Sequence, residues 1–153
     1  MIVIRCTEKD RMTAALISVN PADLRDDGTD WLGRRVKKPW GHEVEKYRDA
    51  RCSISWMHIH HKQQTSMHCH TTKTASLFVM GGAAIVRTLN GDYPIEEGDV
   101  VVIERGAFHQ IVSAGDPVVL YEVETPPNKR DLIRLHDTYG RGQGYEPCEN
   151  STL

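Results

Sequence analysis

The chain has no excess of one charge, no long apolar run and no paired-cysteine motif, and each absence removes a class of function. Nineteen Lys and Arg stand against 21 Asp and Glu. The basic surface that drives binding to a phosphate backbone is therefore missing, and nucleic acid is not expected as a partner. No apolar stretch approaches the ~20 residues of a membrane-spanning helix, so no membrane association is expected. The segment Met1 to Glu8 lacks the apolar core and small-residue cleavage site of a secretory signal. Cys6, Cys52, Cys69 and Cys148 form no C-x-x-C pair. Together these features point to reduced thiols and a cytoplasmic protein.

A chain of 153 residues fits one domain and can bury roughly 70% of the surface its unfolded form exposes, so it needs no disulfide staples. The first forty residues read as an arm. Asn20-Pro21-Ala22-Asp23-Leu24 places an N-cap before a Pro at the first helical position, which predicts a short helix. From Gly41 the texture changes to short strands separated by turn signals. Strands are predicted at 43–47, 52–59, 66–70, 76–80, 83–89, 92–95, 100–103, 109–112 and 118–123, with Asn90-Gly91 as a hairpin turn. This spacing predicts an all-β fold, a small antiparallel β-barrel or jelly roll, rather than a parallel α/β sheet. The expected division is an N-terminal arm with its short helix (1–40), a barrel (41–125) and a C-terminal extension packed on it (126–153). Within that extension 131–135 reads as a strand or single turn, and 140–153 is expected to fray or wrap the surface.

Histidine is concentrated: six of the eight fall between His42 and His70. His68-Cys69-His70 is the sharpest local feature. Residues two apart on a strand share a face, so both imidazoles point the same way and can chelate a divalent ion if a third ligand arrives from a neighbouring strand. His109, at the start of a later strand, is the candidate third ligand. Neutral imidazole suits Zn, Fe, Mn, Ni or Cu. By the same alternation Cys69 points away and reads as a small core residue. His58 and His60 share a face near a turn with His61. They are read either as surface residues or as extra ligands at the barrel mouth. Trp40, Trp56 and Phe108 read as packing residues.

With these residues in place the sequence resembles the cupin superfamily. His68-x-His70 followed by Gly81-Gly82 is similar to its first motif, and Gly98-x5-Glu104-x-Gly106-x2-His109 keeps the spacing of its second, with Glu104 in place of Pro. A closer resemblance is to the C-terminal cupin domain of type II mannose-6-phosphate isomerases and to stand-alone sugar-metabolism cupins. It is carried by Lys38-Pro39-Trp40-Gly41-His42-Glu43, by Thr65 to Lys73 and by Asp131 to Arg141. The resemblance implies a metal inside the barrel. It also implies a small-molecule substrate, with a phosphorylated sugar as the candidate. Lys73 and Arg105 would border the pocket and pair with a substrate anion. Where these relatives carry a metal-binding Glu, this chain has Thr74 or Ala75. The ligand set is therefore three His: His68, His70 and His109.

Three functions follow. The first is a metal-dependent sugar or sugar-phosphate isomerase or epimerase, whose base would come from Glu43, Glu45, Tyr47 or Glu104. The second is a three-His non-haem iron dioxygenase. The third is a small-molecule-binding cupin without turnover. Open sheet edges predict a homodimer, with the first twenty residues adding a strand across the interface.

Overall fold

The structure, a computed structural model, describes residues 1–144. Cys148 and the last part of the predicted surface tail lie outside the described residues. In chain order the elements are β1 (Ile2–Ile4), α1 (Glu8–Ala15), a 3₁₀ turn (Pro21–Leu24), β2 (Arg35–Lys38), β3 (Gly41–Arg48), β4 (Ser53–Ile59), β5 (Met67–Cys69), β6 (Thr74–Gly81), β7 (Ala83–Thr88), β8 (Gly91–Glu96), β9 (Val100–Ile103), β10 (His109–Ser113), β11 (Val118–Thr125) and β12 (Ile133–His136). They form two sheets, β1-β9-β6-β11-β4-β3-β2 and β12-β5-β10-β7-β8.

Alternation along the strands decides what lies between the sheets. On β4 and β11 every second residue is buried. This turns Met57, Ile59, Val118 and Leu120 inward against Val86, Ile95 and Ile111 of the second sheet. Fully burying side chains of this size contributes roughly 1.5–3 kcal/mol each. A second apolar cluster of Cys69, Phe108 and Ile133 lies behind the five-stranded sheet, and Ala14, Ile17, Val19 and Leu24 of the N-terminal segment pack over it. The outer face of the seven-stranded sheet leaves Phe78 and Met80 exposed, at 39% and 52%.

The segments on either side of 41–125 are woven into the sheets. β1 pairs in parallel with β9 of its own chain and stands at the edge of the seven-stranded sheet. β2 borders β3, and β12 pairs with β5. The predicted helix after Asn20 is a single 3₁₀ turn, its cap Asn20 accepting from the Ala22 N–H. The longer helix α1 lay unseen in the sequence. It opens on a capping box between Thr7 and Asp10, but its one buried residue is the acidic Asp10, so it has no apolar stripe. Asp10 ties the arm to the second sheet: its Oδ1 accepts the Phe108 N–H at 3.0 Å, one residue before His109. The β7–β8 turn is centred on Leu89-Asn90, and Gly91 is already the first residue of the return strand, paired with Thr88.

Candidate metal and substrate site

His68 and His109 are direct cross-strand partners on β5 and β10, and His70 follows two residues after His68 on the same face. The ring centroids are 4.5 Å apart for His68–His109, 5.0 Å for His68–His70 and 5.3 Å for His70–His109. All three rings are buried, and one nitrogen of each lies within 4.8 Å of the others.

The backbone fixes which nitrogen that is. His68 Nδ1 lies 2.9 Å from the Ser66 carbonyl, His70 Nδ1 2.6 Å from that of Asp131, and His109 Nδ1 3.0 Å from that of Ala107. A carbonyl oxygen can only accept, so each Nδ1 carries the proton and donates it. Each Nε2 is left with a free lone pair. His70 Nε2 is buried with no hydrogen-bond partner. Three oriented acceptor nitrogens, each held by a backbone carbonyl behind it, fit a divalent metal ion such as Zn, Fe, Mn or Ni.

Burial lowers all three histidines: His68 and His70 lie well below the usual imidazole range and His109 falls to about 4. They are neutral at pH 7, the form that binds metal. The linkage sign follows. A histidine that titrates near 6.5 unfolded and near 4 folded contributes stability that is present above about 6.5 and lost as pH falls towards 4. At about 1.4 kcal/mol per pKa unit, His109 alone accounts for about 3 kcal/mol. Glu122 acts oppositely. Its carboxyl is raised to about 7, so its share is present below 4.5 and lost as pH rises through 7. Three histidines outweigh one glutamate. Thermal melts of metal-stripped protein are therefore expected to lose stability steeply between pH 6.5 and 4; a flat profile there would show that the rings charge without cost.

The cleft over the histidines is walled by the inner face of the seven-stranded sheet. There β11 turns from apolar to charged side chains, β3 contributes Glu43, and β4 turns from Met57 and Ile59 to Ser53 and Ser55. Glu43, Glu122, Glu124, Lys38, Lys73 and Lys129 line the cleft, joined by Arg134 and Arg141 from the C-terminal segment. Five cationic side chains thus face three carboxylates. Lys73 Nζ meets Glu124 at 2.7 Å, with both side chains buried. Lys129 Nζ lies 3.6 Å from Glu43 and donates to Ser55 Oγ at 2.8 Å. Lys38 Nζ lies 3.8 Å from the same Glu43 oxygen. Burial would raise Glu124, but the Lys73 and Lys129 charges outweigh it and its carboxyl is lowered. Glu122 is pushed up by burial first and by its neighbour Glu124 second.

The other sequence candidates are dispersed. Glu43 is in the cleft. Tyr47 is not: a register shift between Glu45 and Tyr47 interrupts the alternation, and its hydroxyl donates to Asp49 at the surface. Glu45 is buried beside Arg48 at 3.2 Å, outside the cleft lining. Glu104 accepts from the Cys6 N–H and pairs with Arg5 at 2.9 Å, pinning β1 to the turn before His109. Arg105 is exposed and away from the cleft. Lys73 lies deeper than a rim cation, at 2% exposure. His58 and His60 point outward from the seven-stranded sheet, on the side opposite the cleft, so they add nothing to the inner group. Glu122, Glu124 and Lys129 were not singled out in the sequence. The available signal was on β11, where Glu122 and Glu124 continue the inward positions of Val118 and Leu120.

The two facing sheets hold a three-histidine group between them. Residues 55–124 match the family model described as a cupin domain. The solved structures similar to this chain share that fold. A sugar phosphate isomerase of the cupin superfamily from Silicibacter pomeroyi aligns with a TM-score of 0.52 at 18% identity, over 56% of this chain and 59% of that one. The capsular polysaccharide assembling protein CapF from Staphylococcus aureus aligns with 0.59 at 22%, over 72% and 34%. KdgF from a Halomonas species aligns with 0.58 at 13%, over 65% and 94%. The chain thus spans less than two thirds of the first two. No curated protein matches the sequence.

Proposed function

We propose that this cupin is a metal-dependent isomerase or epimerase acting on a sugar phosphate or a similar polyhydroxylated anion. One observation carries the reading: three histidines with free Nε2 atoms share a buried cleft with a carboxyl group, Glu122, poised near neutrality. A divalent ion held by His68, His70 and His109 would supply a Lewis acid for a substrate carbonyl or hydroxyl. Glu122 takes a proton from one carbon and returns it at the next. Lys73 and Lys129, with Arg134 and Arg141, favour an anionic substrate, because the lining carries more cations than carboxylates. The sugar phosphate isomerase among the similar structures agrees with this chemistry.

The expected result is aldose–ketose conversion or epimerisation under anaerobic conditions by protein holding one inner Zn, Mn, Fe or Ni ion. His68→Ala and His109→Ala are each expected to abolish uptake of that ion, with only a modest change in thermal stability, because the apolar core is complete without it. Metal retained by both variants would place the ion elsewhere. The all-histidine ligand group favours a second reading, a three-His non-haem iron dioxygenase. Fe(II)-dependent O₂ consumption with no anaerobic turnover would select it, and neither activity would leave a binding cupin. The same reading includes a reducing, cytoplasmic setting for the free thiols of Cys6, Cys52 and Cys69, and pairing with a second copy. A monomer by light scattering at micromolar concentration would overturn the pairing.

A further inference from the structure

A second histidine group stands on the opposite side of the seven-stranded sheet. We propose that His42, His58 and His60 form a separate divalent-metal site of the zinc class on this outer face. His42 on β3 and His58 on β4 are direct cross-strand partners. His60, two residues past His58, returns to the same face and is held there by its N–H donating to the Trp40 carbonyl at 2.9 Å. The centroids are 5.1 Å apart for His42–His58, 5.2 Å for His58–His60 and 6.3 Å for His42–His60. One nitrogen of each ring lies within 4.8 Å of the others.

Zinc–nitrogen bonds of about 2.0–2.1 Å place tetrahedral ligand atoms roughly 3.3 Å apart. Small rotations of the exposed His60 and half-buried His42 close that gap. His58 Nδ1 is buried and has no hydrogen-bond partner, which a ligand-bound ring or a trapped water would satisfy. Gly41 lets the two strands approach: a Cβ there would lie 1.9 Å from the His58 carbonyl oxygen. Only a residue without a side chain allows β3 to close on β4 beside the ring pair. Arg35 Nη2 lies 3.2 Å from His42 Nδ1. Its exposed side chain can turn aside, and its charge favours an anionic fourth ligand on the ion. The group is independent of the inner one, because His58 and the cavity-lining Met57 alternate to opposite faces of β4.

The test is Zn²⁺ titration of the metal-stripped full chain, read by calorimetry and by metal analysis after desalting. His58→Ala and His60→Ala are each expected to bind one zinc ion fewer per chain than the parent, with unchanged circular dichroism. His68→Ala is expected to keep the outer ion. Because His60 is exposed, its variant reads the site even if His58→Ala disturbs packing. Zinc stoichiometry identical in the parent and His60→Ala overturns the proposal, as does loss of the outer ion in His68→Ala. Failure of the inner site would appear separately, as a parent that binds only the ion lost in His60→Ala.

Discussion

Glu122→Gln is expected to lower turnover by about 10²–10⁴-fold, the usual contribution of a positioned acid–base group, while leaving the metal content unchanged. The substitution keeps shape and volume and removes only the ability to accept a proton. The wild-type carboxyl titrates near 7 because it is buried and because Glu124 stands beside it. A base with that affinity is unprotonated often enough to act and basic enough to pull a proton from carbon. The acidic limb of the rate profile near pH 7 should therefore vanish in Glu122→Gln. Stability should hold or rise, since a costly buried charge is removed. Glu124→Gln is the contrasting control. Glu124 is the partner of buried Lys73, at 2.7 Å, and removing one half of a buried pair typically costs about 3–5 kcal/mol. A Glu122→Gln variant with wild-type turnover and an unchanged pH profile would remove Glu122 as the base.

Most strands of the barrel were legible because they are short and alternate in burial, and several end at a Gly, Pro or Asn signal, as at Gly81-Gly82, Asn90-Gly91 and Gly115-Asp116-Pro117. The predicted 118–123 and 100–103 segments differ from β11 and β9 by two residues or none. The histidine trio was legible for the same local reason: His68 and His70 share a face through strand periodicity alone. Only the His109 partnership is long-range, and the motif spacing supplied it. The N-terminal elements were not legible. β1 is three residues long, below the length at which alternation can be read, and α1 buries an acid rather than an apolar stripe. The carboxylates failed for a further reason. Periodicity assigns a residue to a face but not a face to a cavity, and Glu122 becomes part of a site only through pairing with β4 and β6. That pairing also bears on Thr74 and Ala75, where the sequence resemblance led to the expectation of a glutamate. Ala75 occupies the inward position on β6, and its cross-strand partner on β11 is Glu124. A carboxylate is thus present in the same wall, carried by the neighbouring strand.

Asp131→Ala is expected to lower both the stability of the fold and the metal affinity of the inner group. Asp131 is fully buried and holds the loop between β5 and β6. Its Oδ1 accepts the Thr71 N–H at 2.8 Å and the Thr71 hydroxyl at 2.7 Å. Its Oδ2 accepts the Thr72 N–H and hydroxyl, each at 2.8 Å, and the Lys73 N–H at 3.2 Å. Its backbone carbonyl takes the Nδ1 proton of His70. One residue therefore sets both the His70 ring that faces the cleft and the entry of Lys73 into it. In the alanine variant the two hydroxyls can turn to water, but the three N–H groups lose a charged acceptor, at about 1–3 kcal/mol for each that stays unsatisfied. A total loss of about 3 kcal/mol corresponds to a melting temperature lower by roughly 10 °C for a chain of this size. Loosening the support behind a ligating histidine typically costs 10–100-fold in metal affinity, so zinc binding at the inner group should weaken by that factor while the His42, His58 and His60 group is untouched. Asp131→Asn keeps the Thr71 contacts through Oδ1 but turns an NH₂ group towards the Thr72 and Lys73 N–H donors, so it should recover only part of the loss. Unchanged melting and unchanged inner-site affinity in Asp131→Ala would show that the loop and His70 are held by the strands alone.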